Sequence, residues 1–292
     1  MLREPAVAGQ FYPSRPAELI REVRQFVAAG AAAAPTSAQR KPTGRGAPVE
    51  ASYEAAPGIR ALGCIVPHAG YIYSGGVAGA VYARLELPQR FLVLCPRHYP
   101  QGAPLAILSE GAWRTPLGDA QIDSALATAL AQACPLLRED ELAHEQEHAI
   151  EVQLPFLQFL RPEFRFVPIA LGTDRFQAFE DLGKAAARVV ATEKEPVLLV
   201  ASSDMNHYES DTITRQKDSH AIERILALDP RGLYDVVRRE GITMCGYGPA
   251  VTMLVAAKEL GATRAELVRY ATSAEVSGDY DRVVGYAGIV VV

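Results

Sequence analysis

Long apolar runs are missing from this 292-residue sequence. Nowhere do the ~18 consecutive apolar residues stand that a helix needs to cross a bilayer. The start, Met1-Leu-Arg-Glu-Pro5, lacks the apolar core of a secretory leader, so a cytoplasmic protein with no membrane partner is expected. Cysteine is sparse as well. Cys64, Cys95, Cys134 and Cys245 are widely spaced and form no C-x-x-C pair, which excludes a disulfide framework in that compartment. Each is a small buried hydrophobe unless its neighbours say otherwise. Positive charge is thin: the net charge is −5, with no basic block beyond Arg40 to Arg45. Nucleic acid is therefore not an expected partner. A G-x-S-x-G nucleophile elbow and a Walker P-loop are both absent, so the commonest serine-hydrolase and nucleotide readings lose ground. No internal repeat of useful length is visible.

Hydrophobic residues make up 49% and charged residues 22%, the balance of a globular protein. Apolar strand-like runs at 62–66, 90–95, 104–108, 164–171, 196–201, 266–272 and 283–292 alternate with helical patterns, which predicts an α/β sandwich. Pro168 suggests that its strand is an edge or carries a bulge. Residues 111–119, with the single Trp113, read as a loop. Residues 145–160 open acidic and turn apolar at helical spacing, with Pro155 expected to interrupt the helix. From Ala29 to Ile59 the composition shifts to Ala, Pro, Gly, Ser and Arg. That stretch has too little apolar surface to order itself and is expected to be a flexible surface insertion in one domain spanning 1–292.

The stretch that organises the rest is Ala61-Leu-Gly-Cys-Ile-Val-Pro-His-Ala-Gly-Tyr-Ile-Tyr-Ser-Gly-Gly76. A short buried strand leaves the sheet at Pro67 and delivers His68 before a small-residue helix. In open α/β sheets that edge is where ligands bind. The same strand–proline–histidine order recurs at Pro96-Arg-His98, and a third apolar strand leads to Ser202-Ser-Asp-Met-Asn-His207. Three of the six histidines thus fall near strand ends, which are the makings of a transition-metal site. Asp204 could orient an imidazole or accept a proton. Cys245 precedes Gly246 and a helix start, a position that lowers a thiol's pKa, although buried filler is the plainer reading of Cys245 taken alone. Glu147-His148 reads as a capping and packing feature or as part of a site. His144 and His220 read as solvated surface residues.

Ala8-Gly-Gln-Phe-Tyr-Pro13, Pro67-His-Ala-Gly-Tyr-Ile-Tyr-Ser-Gly75, Pro96-Arg-His98, Glu147-His-Ala-Ile-Glu-Val-Gln-Leu-Pro155, Ser202-Ser-Asp-Met-Asn-His207 and Met244-Cys-Gly246 together resemble the Memo family. In prokaryotes that family is called AmmeMemoRadiSam system protein B. The resemblance implies the fold of LigB-like class III extradiol dioxygenases, a three-layer α/β sandwich with a central mixed sheet. It implies metal-binding positions at His68, His98 and Cys245, with Asp204 and His207 beside them. Extradiol enzymes use two histidines and a carboxylate. Cys245 in place of that carboxylate would favour copper as well as iron, because a thiolate is softer. Eukaryotic relatives are signalling proteins that bind phosphotyrosine peptides in this pocket, and the prokaryotic name suggests a functional link to a radical-SAM protein and an AMMECR-type domain. The expected function is a metal-dependent redox role, with His207 as acid/base oriented by Asp204. The alternative is a binding module in which the histidines, with Tyr73 and Phe11, grip a phosphorylated or anionic peptide.

Overall fold

A computed structural model describes residues 1–32 and 58–292. In chain order β1 (Leu2–Arg3) is followed by α1 (Pro16–Ala32), β2 (Gly63–Val66), α2 (Tyr71–Arg84) and β3 (Arg90–Pro96). Next come β4 (Leu105–Ile107), β5 (Ala112–Thr115), β6 (Gly118–Ile122), α3 (Ser124–Ala133), β7 (Arg138–Glu139) and α4 (Leu142–Glu145). A 3₁₀ turn at Glu151–Gln153 leads into α5 (Leu154–Leu160), β8 (Arg165–Leu171), α6 (Phe176–Val190), β9 (Val197–Ser202) and β10 (His207–Glu209). The chain continues with α7 (Asp211–Leu226), α8 (Pro230–Glu240), α9 (Tyr247–Glu259), β11 (Ala265–Thr272), α10 (Ala274–Ser277) and β12 (Val283–Val291). Helix α1 continues through Ala32, four residues into the expected insertion. Most of that insertion, residues 33–57, lies outside the described residues.

The sheet runs β1-β5-β6-β8-β3-β9-β2-β12-β10, with β11 also on β12 and β4 also on β8. Its middle, β6-β8-β3-β9-β2, is parallel throughout, so those strands end on one edge. Beyond β2 the pairing turns antiparallel at β12, which makes the sheet mixed. Strand β3 shows why the molecule has three layers. Phe91, Val93 and Cys95 pack into one buried cluster with Leu19 of α1, Tyr82 of α2 and Phe156 of α5. Leu92 and Leu94 pack into the other with Leu182 of α6, Leu233 of α8 and Leu254 of α9. Side chains alternate across a strand, so a continuous apolar run serves both faces only when helices cover both.

Helix ends follow local chemistry. Asp229 caps α8 by accepting the Gly232 N–H at 2.8 Å, Pro230 stands in its first turn, and Gly241 closes it at φ +60°. Pro155 sits in the first turn of α5, so the 145–160 pattern is interrupted there as expected.

Two expectations need correcting. Strand β8 is internal rather than an edge. Pro168 falls where the neighbour on one side changes: β6 pairs as far as Phe166 and β4 begins at Ile169. A residue without an N–H costs the ladder least at such a gap. Residues 111–119 form a hairpin rather than a loop. Arg114 pairs with Asp119 and Thr115 with Gly118, whose φ of +117° suits glycine at the turn. Among the described residues no helix is long and apolar enough to cross a membrane.

Candidate metal centre

The parallel strands deliver their C-terminal ends to one place. His68 stands two residues past β2, His98 two past β3, and Ser202 ends β9. His68 is buried, and its backbone N–H donates to Asp204 Oδ1 at 2.7 Å. Its ring Nδ1 lies 2.9 Å from Ser202 Oγ, and its Nε2 lies 3.2 Å from Cys245 Sγ. His98 is held by one carboxylate at two points: its backbone N–H donates to Glu147 Oε2 at 2.6 Å, and its Nδ1 to Oε1 at 2.9 Å. Because a carboxylate only accepts, Nδ1 carries a proton, and in the neutral ring Nε2 therefore keeps its lone pair.

The third imidazole is that of His148. Its Nδ1 lies 3.6 Å from Glu147 Oε1, and its ring stacks on His98 with centroids 4.8 Å apart. One ligand atom each from His68, His98 and His148 lies within 4.8 Å of the others. Cys245, the third position expected from the sequence, touches His68 at 3.2 Å and is not part of that converging set. Around the three rings, Phe11, Asp204, His207, Tyr208, Thr243 and Cys245 line a cavity of about 590 Å³. Tyr73 does not line it. The first turn of α2 sends Tyr71 inward and leaves Tyr73 40% exposed.

The electrostatics suit a cation. Burial pushes the His68 imidazole well below its ordinary pKa, aided by the charge of His98. Burial, and then His68, bring His148 down to about 4. His98 moves the other way, because the hydrogen bond and charge of Glu147 outweigh burial. Burial pushes the Glu147 carboxyl up, but the hydrogen bonds and charges of His98 and His148 win and hold it at about 2. Three imidazoles, two of them with ring orientations fixed by hydrogen bonds through Nδ1, are a borderline donor set that fits a first-row transition metal.

Other expectations come out differently. The Cys245 thiol is pushed well above its ordinary pKa, first by burial and then by the Asp204 charge, and the Gly246 amide at the start of α9 is too weak to reverse this. Asp204 does not orient His207. Its carboxylate accepts the His68 backbone N–H, while His207 Nδ1 faces the Thr243 carbonyl at 2.9 Å. His220 pairs with Glu240 at 2.6 Å on the surface side of α7.

Residues 144–148 read His-Glu-Gln-Glu-His, which matches the spelling of the zinc-protease helix motif. That chemistry needs both histidines on one helix face. Here α4 stops at Glu145, and His144 turns into the core against Trp113, with ring centroids 5.7 Å apart. His144 is thus fully buried rather than solvated, and neither ring nitrogen makes a well-formed hydrogen bond. Burial and then the Arg3 charge push its pKa down to about 4, against a small pull from the Ala106 backbone. A histidine that folds neutral contributes stability above its ordinary 6.5, and the contribution fades as pH falls toward 4. Replacing His144 by Phe should raise stability by about 1 kcal/mol at neutral pH and flatten the acid decline. Urea unfolding across that range checks this, and a variant as acid-sensitive as the wild type would count against it.

For Glu147 and His148 the sequence left packing and site roles equally open, and the structure places both at the cluster. The available signal was a cluster of polar side chains, Glu147, Glu151 and Gln153, in a segment that is otherwise apolar. All three are fully buried.

The sequence matches the family description "Memo-like protein" over residues 3–290. The chain belongs to the Memo family. A MEMO1 family protein of Methanopyrus kandleri is 42% identical over 295 residues, with 99% of each chain covered. One from Methanosarcina barkeri is 40% identical over 291 residues, covering 99% of this chain and all of its own. Among solved structures, an uncharacterized protein from Escherichia coli K12 aligns with a TM-score of 0.48 at 14% identity, covering 79% of this chain and 99% of that one. The Memo-family assignment agrees with the motifs that carried the resemblance, from Ala8 to Gly246.

Proposed function

We propose that this Memo-family chain holds iron or copper between His68, His98 and His148 and has a redox role on a small-molecule or peptide ligand admitted to the cavity. The observation that carries the reading is the convergence of three imidazole nitrogens within 4.8 Å, two of them on rings anchored through Nδ1. Such a metal would supply one-electron chemistry and a Lewis-acid centre. The chain's own groups hold the rings, keep the interior side dry and leave one side open to a ligand. Cys245 lines the same cavity with its Sγ 3.2 Å from His68 Nε2, so it stands beside the set. His207 would be the acid/base, with its Nδ1 set by the Thr243 carbonyl and Asp204 beside it. The LigB-like dioxygenase kinship belongs to this proposal, as does the single-domain organisation of 1–292.

The peptide-binding alternative needs cationic histidines at neutral pH. Burial holds His68 and His148 neutral, and the charge of His98 is matched by Glu147. The test is to titrate iron(II) and copper(I), and separately a phosphotyrosine peptide, into reduced untagged protein. The expected result is about one metal equivalent per chain and weak peptide binding. Tight peptide binding by metal-free protein, with neither metal bound, would overturn the proposal.

A further inference from the structure

We propose that Gln153 and Ser202 lock His68 in one tautomer, with its proton on Nδ1 and a bare Nε2 presented to the cavity. They would be positioning residues for the metal site, and in that respect the inference rests on the reading just given. The proton count starts from two backbone carbonyls, which can only accept. The Pro67 oxygen lies 2.9 Å from Gln153 Nε2, and the Ala149 oxygen lies 2.6 Å from Ser202 Oγ.

The first contact fixes the amide. Gln153 Nε2 has two protons, one for Pro67 and one for Ser202 Oγ at 2.9 Å. Its Oε1 then accepts from the Tyr82 hydroxyl at 2.9 Å. With the amide turned over, two acceptors would face each other at Pro67. The second contact fixes the hydroxyl. Serine has one proton, and it must lie on the line to Ala149, because two oxygens at 2.6 Å with no hydrogen between them repel. Ser202 Oγ is then an acceptor toward both remaining neighbours, Gln153 and His68 Nδ1. Nδ1 must therefore donate.

Nε2 is left with a lone pair, 3.2 Å from Cys245 Sγ, so in metal-free protein it can accept from the thiol, whose other acceptor is the Asp204 carbonyl at 3.7 Å. His68, Tyr82, Gln153 and Ser202 are all buried, so water does not compete at the relay. His98 is set by a charged carboxylate, which also raises its basicity. At His68 the same orientation comes from neutral groups, so the ring is fixed without being made a stronger base.

The test is nitrogen-15 NMR of histidine-labelled, reduced, metal-free protein, with His68 assigned by its loss in His68→Gln. The expected spectrum shows Nδ1 shifted as a protonated nitrogen and Nε2 as a bare one. Ser202→Ala should move a large part of His68 to the Nε2–H form and weaken metal binding by about tenfold, and Ser202→Thr should restore both. A wild-type His68 protonated on Nε2 overturns the inference. So does a folded Ser202→Ala that keeps the Nδ1–H form unchanged. If Ser202→Ala does not fold, the wild-type spectrum alone decides. If His68 shows the expected tautomer but no metal binds, the lock stands and the metal reading fails.

Discussion

Replacing Glu151 by alanine is expected to cost about 3–5 kcal/mol of stability, because it strands a buried charge. Arg3 and Glu151 pair at 2.8 Å with both side chains almost wholly out of solvent. Glu151 also accepts the backbone N–H groups of Ala6 and Val7 and the Tyr12 hydroxyl, the last at 2.6 Å. Arg3 in turn donates to the carbonyls of His144 and Glu147, each at 2.7 Å, and its guanidinium lies 4.1 Å from the Trp113 ring centroid. The network ties the N-terminal segment to the backbone that carries Glu147 and His148. Its loss should therefore weaken metal binding as well as folding. Urea unfolding gives the stability term. The double variant Arg3→Met with Glu151→Leu should recover much of the loss, since it leaves no unpaired charge. A loss below about 1 kcal/mol in Glu151→Ala, or a double variant no better than the single, would show that the pair carries little.

Strands β3 and β9 were legible in the sequence because they lie in the parallel middle of the sheet. With both faces covered, they read as unbroken apolar runs. The β5–β6 hairpin was hidden because Arg114 and Gly118 give it a loop-like composition, and only its pairing across the turn makes it sheet. Two histidines of the site could be read from one local signal, a strand followed by proline and histidine. His148 could not. It reaches the cluster by a bend between α4 and the following 3₁₀ turn, and no periodicity marks a bend. The same bend turns His144 into the core, so two histidines four residues apart have opposite environments. Asp204 illustrates another limit. A carboxylate three residues from His207 suggests a side-chain pair, but the chain folds so that its partner is the His68 backbone, 136 residues away in sequence.

Glu147→Gln should separate the two roles of that carboxylate, since glutamine keeps the size and an acceptor but removes the charge. Above the pKa of His98 all three imidazoles are free to bind, and the variant should hold iron(II) or copper(I) about 10–100-fold less tightly, because His98 becomes a weaker base. The acid limb should move the other way. In the wild type Glu147 raises the His98 pKa against burial, so His98 is the first of the three rings to take up a proton as pH falls. His148, at about 4, and His68, well below its ordinary value, follow later. Binding should therefore weaken once pH drops through the His98 pKa, by about tenfold per unit while one proton is displaced. Without the Glu147 charge, burial lowers that pKa, and the onset of weakening should shift to more acid pH. Metal titrations at several pH values on both proteins read the two effects separately. Equal affinities above the His98 pKa, or an acid limb that does not move, would show that Glu147 neither tunes nor orients the ring.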